Sequence, residues 1–111
     1  MNAQTERRWA VGPTGRIEVA FDAAMDSLAP GQVKGHAKGL ALICHPHPQH
    51  GGTMDNKVVQ TLARAWTQAG WHAVRFNFRG VGGSEGTWDE GRGEVEDARA
   101  VLQSSLDAWP S

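Results

Sequence analysis

Apolar residues recur at two spacings along the chain, and the switches between those spacings divide it into elements. Ile17, Val19 and Phe21 alternate with polar or small neighbours, the period of a strand with one buried face. Arg8-Trp9-Ala10-Val11 precedes them across Gly12-Pro13-Thr14-Gly15; proline pre-sets one turn dihedral and glycine tolerates positive φ, so a hairpin is predicted over 8–21. Residues from Asp26 to Lys38 are rich in glycine, lysine and small side chains and read as a loop. Leu40 to Cys44 is an unbroken apolar run, which predicts a strand over 40–45 covered on both faces. From Asp55 the spacing lengthens to that of a helix over 55–69, with Val58, Val59, Leu62, Trp66 and Ala69 on one stripe, Asp55 or Asn56 as cap and Gly70 as stop. Val74, Phe76 and Phe78 alternate again within a predicted strand over 71–78. A last helix over 94–109 places Val95, Ala98, Leu102, Leu106 and Trp109 inward, and Pro110 closes it.

The order hairpin, strand, helix, strand, helix predicts an α/β fold. An antiparallel hairpin leads into a parallel strand-helix-strand crossover, with helices on both faces of one sheet in three layers. The chain is expected to form a single domain over 1–111, and an incomplete one, because the last helix has no strand to return to. In that case the strand at Leu40 to Cys44 should keep an unpaired edge, and both helices should leave part of their apolar surface uncovered.

Composition narrows the function classes. Eleven basic against twelve acidic side chains leave a net charge of −1, so nothing favours nucleic acid or an anionic membrane surface, and a small-molecule substrate fits better. The N-terminus lacks the apolar core of a secretion signal, and no window approaches the roughly 18 apolar residues of a membrane span; a cytoplasmic protein is expected. The single cysteine, Cys44, lies in an apolar run and reads as a buried, inert thiol. No cofactor is expected.

The chemistry concentrates after the first central strand, in Cys44-His45-Pro46-His47-Pro48-Gln49-His50-Gly51-Gly52. Open α/β sheets place ligands at the carboxyl ends of their strands. His45, His47 and His50 could hold a metal or a small ligand as a binding module. Against a metal stands the count, since only His36 and His72 remain elsewhere and no second cluster supplies a carboxylate at suitable spacing. Alternatively the backbone is the working part. Acyl-bond hydrolysis builds negative charge on a carbonyl oxygen, and each pre-positioned N–H donor lowers the barrier by about 3 to 4 kcal/mol. Pro46 and Pro48 have no N–H, which leaves His47 and Gln49 as donors. A rigid proline-rich turn with solvated histidines is the third reading.

Gly82-Gly83-Ser84-Glu85-Gly86 spells G-x-S-x-G, the turn that carries the nucleophile in α/β-hydrolases. Ser84 fails the geometric requirement, because such a turn joins strand to helix without a gap. It lies six positions past Phe78 and is followed by further glycines. A dinucleotide loop is no better, since Glu85 stands where the third glycine is needed and would repel a pyrophosphate. Glu94 or Asp97 is expected to pair with Arg79 or Arg75 and so fix this glycine-rich loop.

Three ordered blocks, HPHPQHGGTMDNKVV from His45, RFNFRGVGGSEG from Arg75 and GRGEVEDA from Gly91, resemble a family of small bacterial α/β-hydrolases described as predicted serine hydrolases. The likeness runs from about Arg16 to Trp109 and covers the first half of that family's domain. It implies esterase-like chemistry through a nucleophile, an acid and a histidine in that chain order, all expected beyond Ser111, so this chain is expected to be inactive alone. It implies an oxyanion-hole role for His47, and active-site loops that contain His45, Pro46, Gly51 and Gly52 after one strand and Arg79 and Gly80 after the next.

Overall fold

A computed structural model describes residues 5–25, 37–45 and 52–108 of the chain. Six elements follow in order: β1 (Glu6–Gly12), β2 (Gly15–Asp22), β3 (Leu40–Ile43), α1 (Lys57–Gln68), β4 (His72–Phe76) and α2 (Arg92–Ala108). Each predicted element is present, with ends displaced by a few residues, as expected where fraying and capping set the boundary. Most of the predicted loop from Asp26, together with Trp109 and Pro110, lies outside the described residues.

The four strands form one sheet in the order β1-β2-β4-β3. β1 and β2 are antiparallel, with Gly12 opposite Gly15 across the two-residue turn, as the hairpin reading requires. β4 runs antiparallel to β2, setting Val19 opposite Phe76, and parallel to β3, setting Ile43 opposite Arg75. Among the described residues β3 has one pairing partner and is an edge of the sheet.

Period-2 alternation in β4 sends neighbours to opposite faces. Val74 and Phe76 join Ala10, Ile17, Val19, Phe21 and Val101 of α2 in one core, whereas Ala73 joins Ile43 with Val59 and Ala63 of α1 in a second. The two helices therefore lie on opposite faces of the sheet, in three layers.

The buried faces of the helices agree only in part with those the period suggested: Val59 is buried and Ala98 packs against the larger core, and the other described positions differ. α1 buries Val59, Ala63 and Thr67 and exposes Val58, Leu62 and Trp66, the first at 63%. α2 buries Gly93, Glu94, Asp97, Val101 and Ser105 and exposes Val95, Leu102 and Leu106. In each helix an i, i+4 line of mostly small residues faces the sheet, where a short side chain lets two backbones approach. The larger apolar line beside it is left outward. Cys44 is likewise exposed rather than buried, because β3 ends at Ile43; burial of part of its environment still pushes the thiol above its ordinary pKa, away from the reactive thiolate.

His72 begins β4, and its Nδ1 accepts the Ala24 amide at 3.0 Å, pinning the chain just after β2. Burial lowers its pKa from 6.5. The unfolded chain therefore takes up a proton first as pH falls below 6.5, so this site's contribution is complete above that pH and declines beneath it. The loss of urea midpoint between about pH 7.5 and about pH 5.5 is expected to be smaller in His72→Gln than in the parent chain. Equal losses would remove His72 as a source of acid sensitivity.

Candidate functional site

β3 and β4 are parallel neighbours, so their carboxyl ends open on the same side, and the segments that leave those ends meet there. His45 follows β3. It is buried, its Nε2 accepts the Phe78 amide at 3.0 Å, and its ring meets that of Phe78 edge-on with centroids 4.7 Å apart. That nitrogen's lone pair is occupied, which withdraws it from metal binding. Pro46, His47, His50 and Gly51 lie outside the described residues.

The chain is described again from Gly52, which is buried, and Met54 is fully buried. The Met54 amide donates to Asn77 Oδ1 at 2.8 Å, and its carbonyl accepts from Arg75 Nη1 at 2.9 Å. Arg75 Nη1 also reaches Asp55 Oδ1 at 2.9 Å, while its Nε lies 3.6 Å from Asp22 Oδ2. Asn56 then caps α1 by accepting the Val58 amide, one of the orphan donors of a helix start. His45 and Met54 are thus each tied to β4 or to the residues just past its end, His45 through Phe78 and Met54 through Asn77 and Arg75.

The glycine-rich loop leaves β4 on the same side. Ser84 Oγ donates to the Asn77 carbonyl at 2.6 Å and accepts the Glu18 amide at 2.9 Å. The hydroxyl is buried and spent on the backbone, so it staples the loop onto β2 and has no nucleophile's exposure. Gly80 donates its amide to the Ser84 carbonyl, which closes the turn. Gly82 has φ of 53°, and a Cβ there would stand 2.6 Å from Asn77 Nδ2, so both its conformation and its space require glycine.

Arg79 fixes the loop from the other face, where Nε and Nη2 each donate to Asp97 at 2.8 Å in a two-pronged pair. Nη2 also reaches the Gly93 carbonyl. Hydrogen bonding to Asp97 raises the guanidinium's pKa despite the opposing effect of desolvation. A Cβ on Gly93 would lie 2.2 Å from Arg79 Nη1, which accounts for a glycine in the first turn of α2. The expected carboxylate partner is therefore Asp97. Glu94 instead accepts the Asp89 and Gly91 amides, the reaching-back half of a capping box, and Arg75 takes Asp22 and Asp55 in place of either acid.

Glu18 and Asn77 were missed as site residues in the sequence, and the pairing of Arg75 with Asp55 was missed with them. One signal was present. Arg75 and Asn77 occupy the polar positions of a strand predicted to be central, where both faces are covered and a polar side chain must find partners.

No family model matches the chain. An uncharacterized protein of Rickettsia prowazekii (strain Madrid E) is 45% identical over 91 residues, which are 82% of this chain and 34% of that protein. An α/β serine hydrolase homologue from Coxiella burnetii superposes with a TM-score of 0.81 at 47% identity over 98% of this chain and 48% of its own. An α/β serine hydrolase without lid from Xanthomonas campestris gives 0.84 at 37% identity over 99% and 48%. The chain carries the α/β-hydrolase fold. It spans about half the length of the solved hydrolases it matches and about a third of the curated relative. On an α/β-hydrolase sheet, the side on which β3 and β4 end is the ligand side. Among the described residues no helix is long and apolar enough to cross a membrane.

Proposed function

We propose that this chain forms the first half of a serine hydrolase that cleaves an ester or related acyl bond of a small molecule. In this reading the segment between His45 and Met54 carries the oxyanion donor, the His47 amide. His45, Pro46, Gly51 and Gly52 shape that segment, while Arg79 and Gly80 form the rim of the neighbouring loop. The nucleophile, acid and histidine come from residues outside these 111.

The observation that carries the proposal is the anchoring of the residues on either side of that segment, His45 by Phe78 and Met54 by Asn77 and Arg75. An oxyanion donor lowers a barrier only if it is held in place before charge develops. The outward apolar lines of α1 and α2 and the single-sided pairing of β3 supply surface on which further strands and helices of the domain would pack.

A p-nitrophenyl ester assay tests this. The 111-residue chain is expected to show no turnover above buffer, and the product of the full reading frame is expected to hydrolyse the ester and to lose activity to a serine-directed phosphonofluoridate. Ser84→Ala in that product is expected to cost about 1 to 3 kcal/mol of stability through the two stranded partners, with turnover retained. Turnover by the 111-residue chain that vanishes in Ser84→Ala would overturn the reading.

A further inference from the structure

We propose that Asn77 is a positioning residue that couples the two loops at this end of the sheet, so that neither moves without the other. Its side chain is buried at 4% exposure and uses both ends of its amide. Oδ1 accepts the Met54 amide at 2.8 Å, from the segment after β3. Nδ2 donates to Glu18 Oε1 at 2.8 Å, and the same carboxylate oxygen accepts the Gly83 amide at 2.8 Å, from the glycine-rich loop. The backbone repeats the connection, since the Asn77 carbonyl accepts from Ser84 Oγ and its amide donates to the Glu18 carbonyl.

The residue type follows from this geometry. One atom must accept and the other must donate at the reach of a two-carbon side chain, which asparagine supplies at every pH and aspartate only when protonated. Aspartate would set a second carboxylate against Glu18, and leucine would strand the Met54 amide and part of the Glu18 carboxylate. A Cβ on Gly82 would lie 2.6 Å from Asn77 Nδ2, so the amide leaves room for glycine alone at that position. Arg75 holds the Met54 carbonyl independently, so Asn77 governs the amide side of that peptide and its link to the other loop. The consequence for catalysis, that the oxyanion donor and the rim of the substrate site keep one spacing, rests on the function proposed above; the coupling itself does not.

The charged groups around the amide are Glu18 on β2, Arg7 on β1 at 3.9 Å from the other Glu18 oxygen, Arg75 on β4, and Asp55 ahead of α1. In Asn77→Asp the new carboxylate faces Glu18, and two such groups share one proton at low pH and repel once both ionise. The test is amide hydrogen exchange of the 15N-labelled 111-residue chain. Asn77→Ala is expected to speed exchange at Met54 and at Gly83 together by about tenfold or more, with the amides of β4 and of α2 unchanged. Asn77→Asp is expected to match the parent at low pH and to lose protection at both amides as pH rises, each compared with the parent at the same pH. Faster exchange at Met54 with Gly83 unaffected would overturn the coupling, as would an Asn77→Asp profile that follows the parent at every pH. Should Asn77→Ala not fold, the Asn77→Asp profile decides alone. If both amides respond as expected while ester turnover of the full reading frame is unchanged by Asn77→Ala, the coupling stands and the oxyanion role of the segment falls.

Discussion

Asp97→Ala is expected to cost the fold about 3 to 5 kcal/mol, because it strands the Arg79 guanidinium in the interior without its counter-charge. Asp97 is fully buried and Arg79 is 6% exposed, and both carboxylate oxygens accept from the guanidinium at 2.8 Å. Domains of this size have about 5 to 15 kcal/mol in total, so the loss consumes a large part of the margin. Arg79→Lys cannot present the planar fork and is expected to lose most of the same amount. A paired replacement, Arg79→Met with Asp97→Leu, is expected to be more stable than either single variant, because it removes the charges together. Urea unfolding measures all four chains. Single variants within about 1 kcal/mol of the parent would mean that the pair holds no part of the fold.

The position of this pair explains its weight. Arg79 begins the glycine-rich loop and Asp97 lies one turn into α2, so the bond joins the rim of the candidate site to the layer beneath the sheet. On the opposite face Arg75 does the same for the segment after β3, through Met54 and Asp55. Each loop is thus clamped by one arginine, and Asn77 with Glu18 ties the two clamps together. A loop rich in glycine has much backbone entropy to lose; side-chain anchors at its base and at Ser84 are what make a fixed conformation possible.

Much of the fold was legible in the sequence because its signals are local. The turn at Gly12 to Gly15 and the alternation of Ile17, Val19 and Phe21 concern neighbours two residues apart, and the hairpin follows from them alone. The place of Asp97 was half legible: an acid near the start of a helix was expected to meet an arginine of the loop, but the choice among two acids and two arginines depends on how α2 is rotated against the sheet. That rotation is what the helical period could not supply. Val58, Leu62 and Trp66 form one apolar line on α1, and Val59, Ala63 and Thr67 form another about a third of a turn away. Periodicity favours the line with larger side chains and takes in only Val59 from the other. Packing selects the other, because the helix approaches a twisted sheet most closely over small residues. The interior roles of Asn77 and Arg75 were half legible in the same way: a strand covered on both faces turns its polar positions inward, but the partners they meet there, Met54, Glu18 and Asp55, are distant in the sequence.

Phe76→Ala and Leu62→Ala put that distinction into energies. Phe76 is fully buried at the end of the central strand β4. It lies opposite Val19 and edge-on to Phe78, with ring centroids 5.0 Å apart. Truncation removes the ring from the larger core and leaves a cavity between sheet and α2, which is expected to cost about 3 to 5 kcal/mol. Leu62 carries a side chain of comparable apolar character on the predicted stripe, but it is 44% exposed. Leu62→Ala in the 111-residue chain is expected to change stability by no more than about 0.5 kcal/mol, the range of surface substitutions. Urea midpoints of the two variants should therefore separate widely, although both delete an apolar side chain from a periodic position. Comparable losses would mean that the outward line of α1 is packed in solution, against a second copy of the chain or another surface. Repeating Leu62→Ala over a range of protein concentrations distinguishes those cases, because a loss that grows with concentration belongs to association and one that does not belongs to the fold.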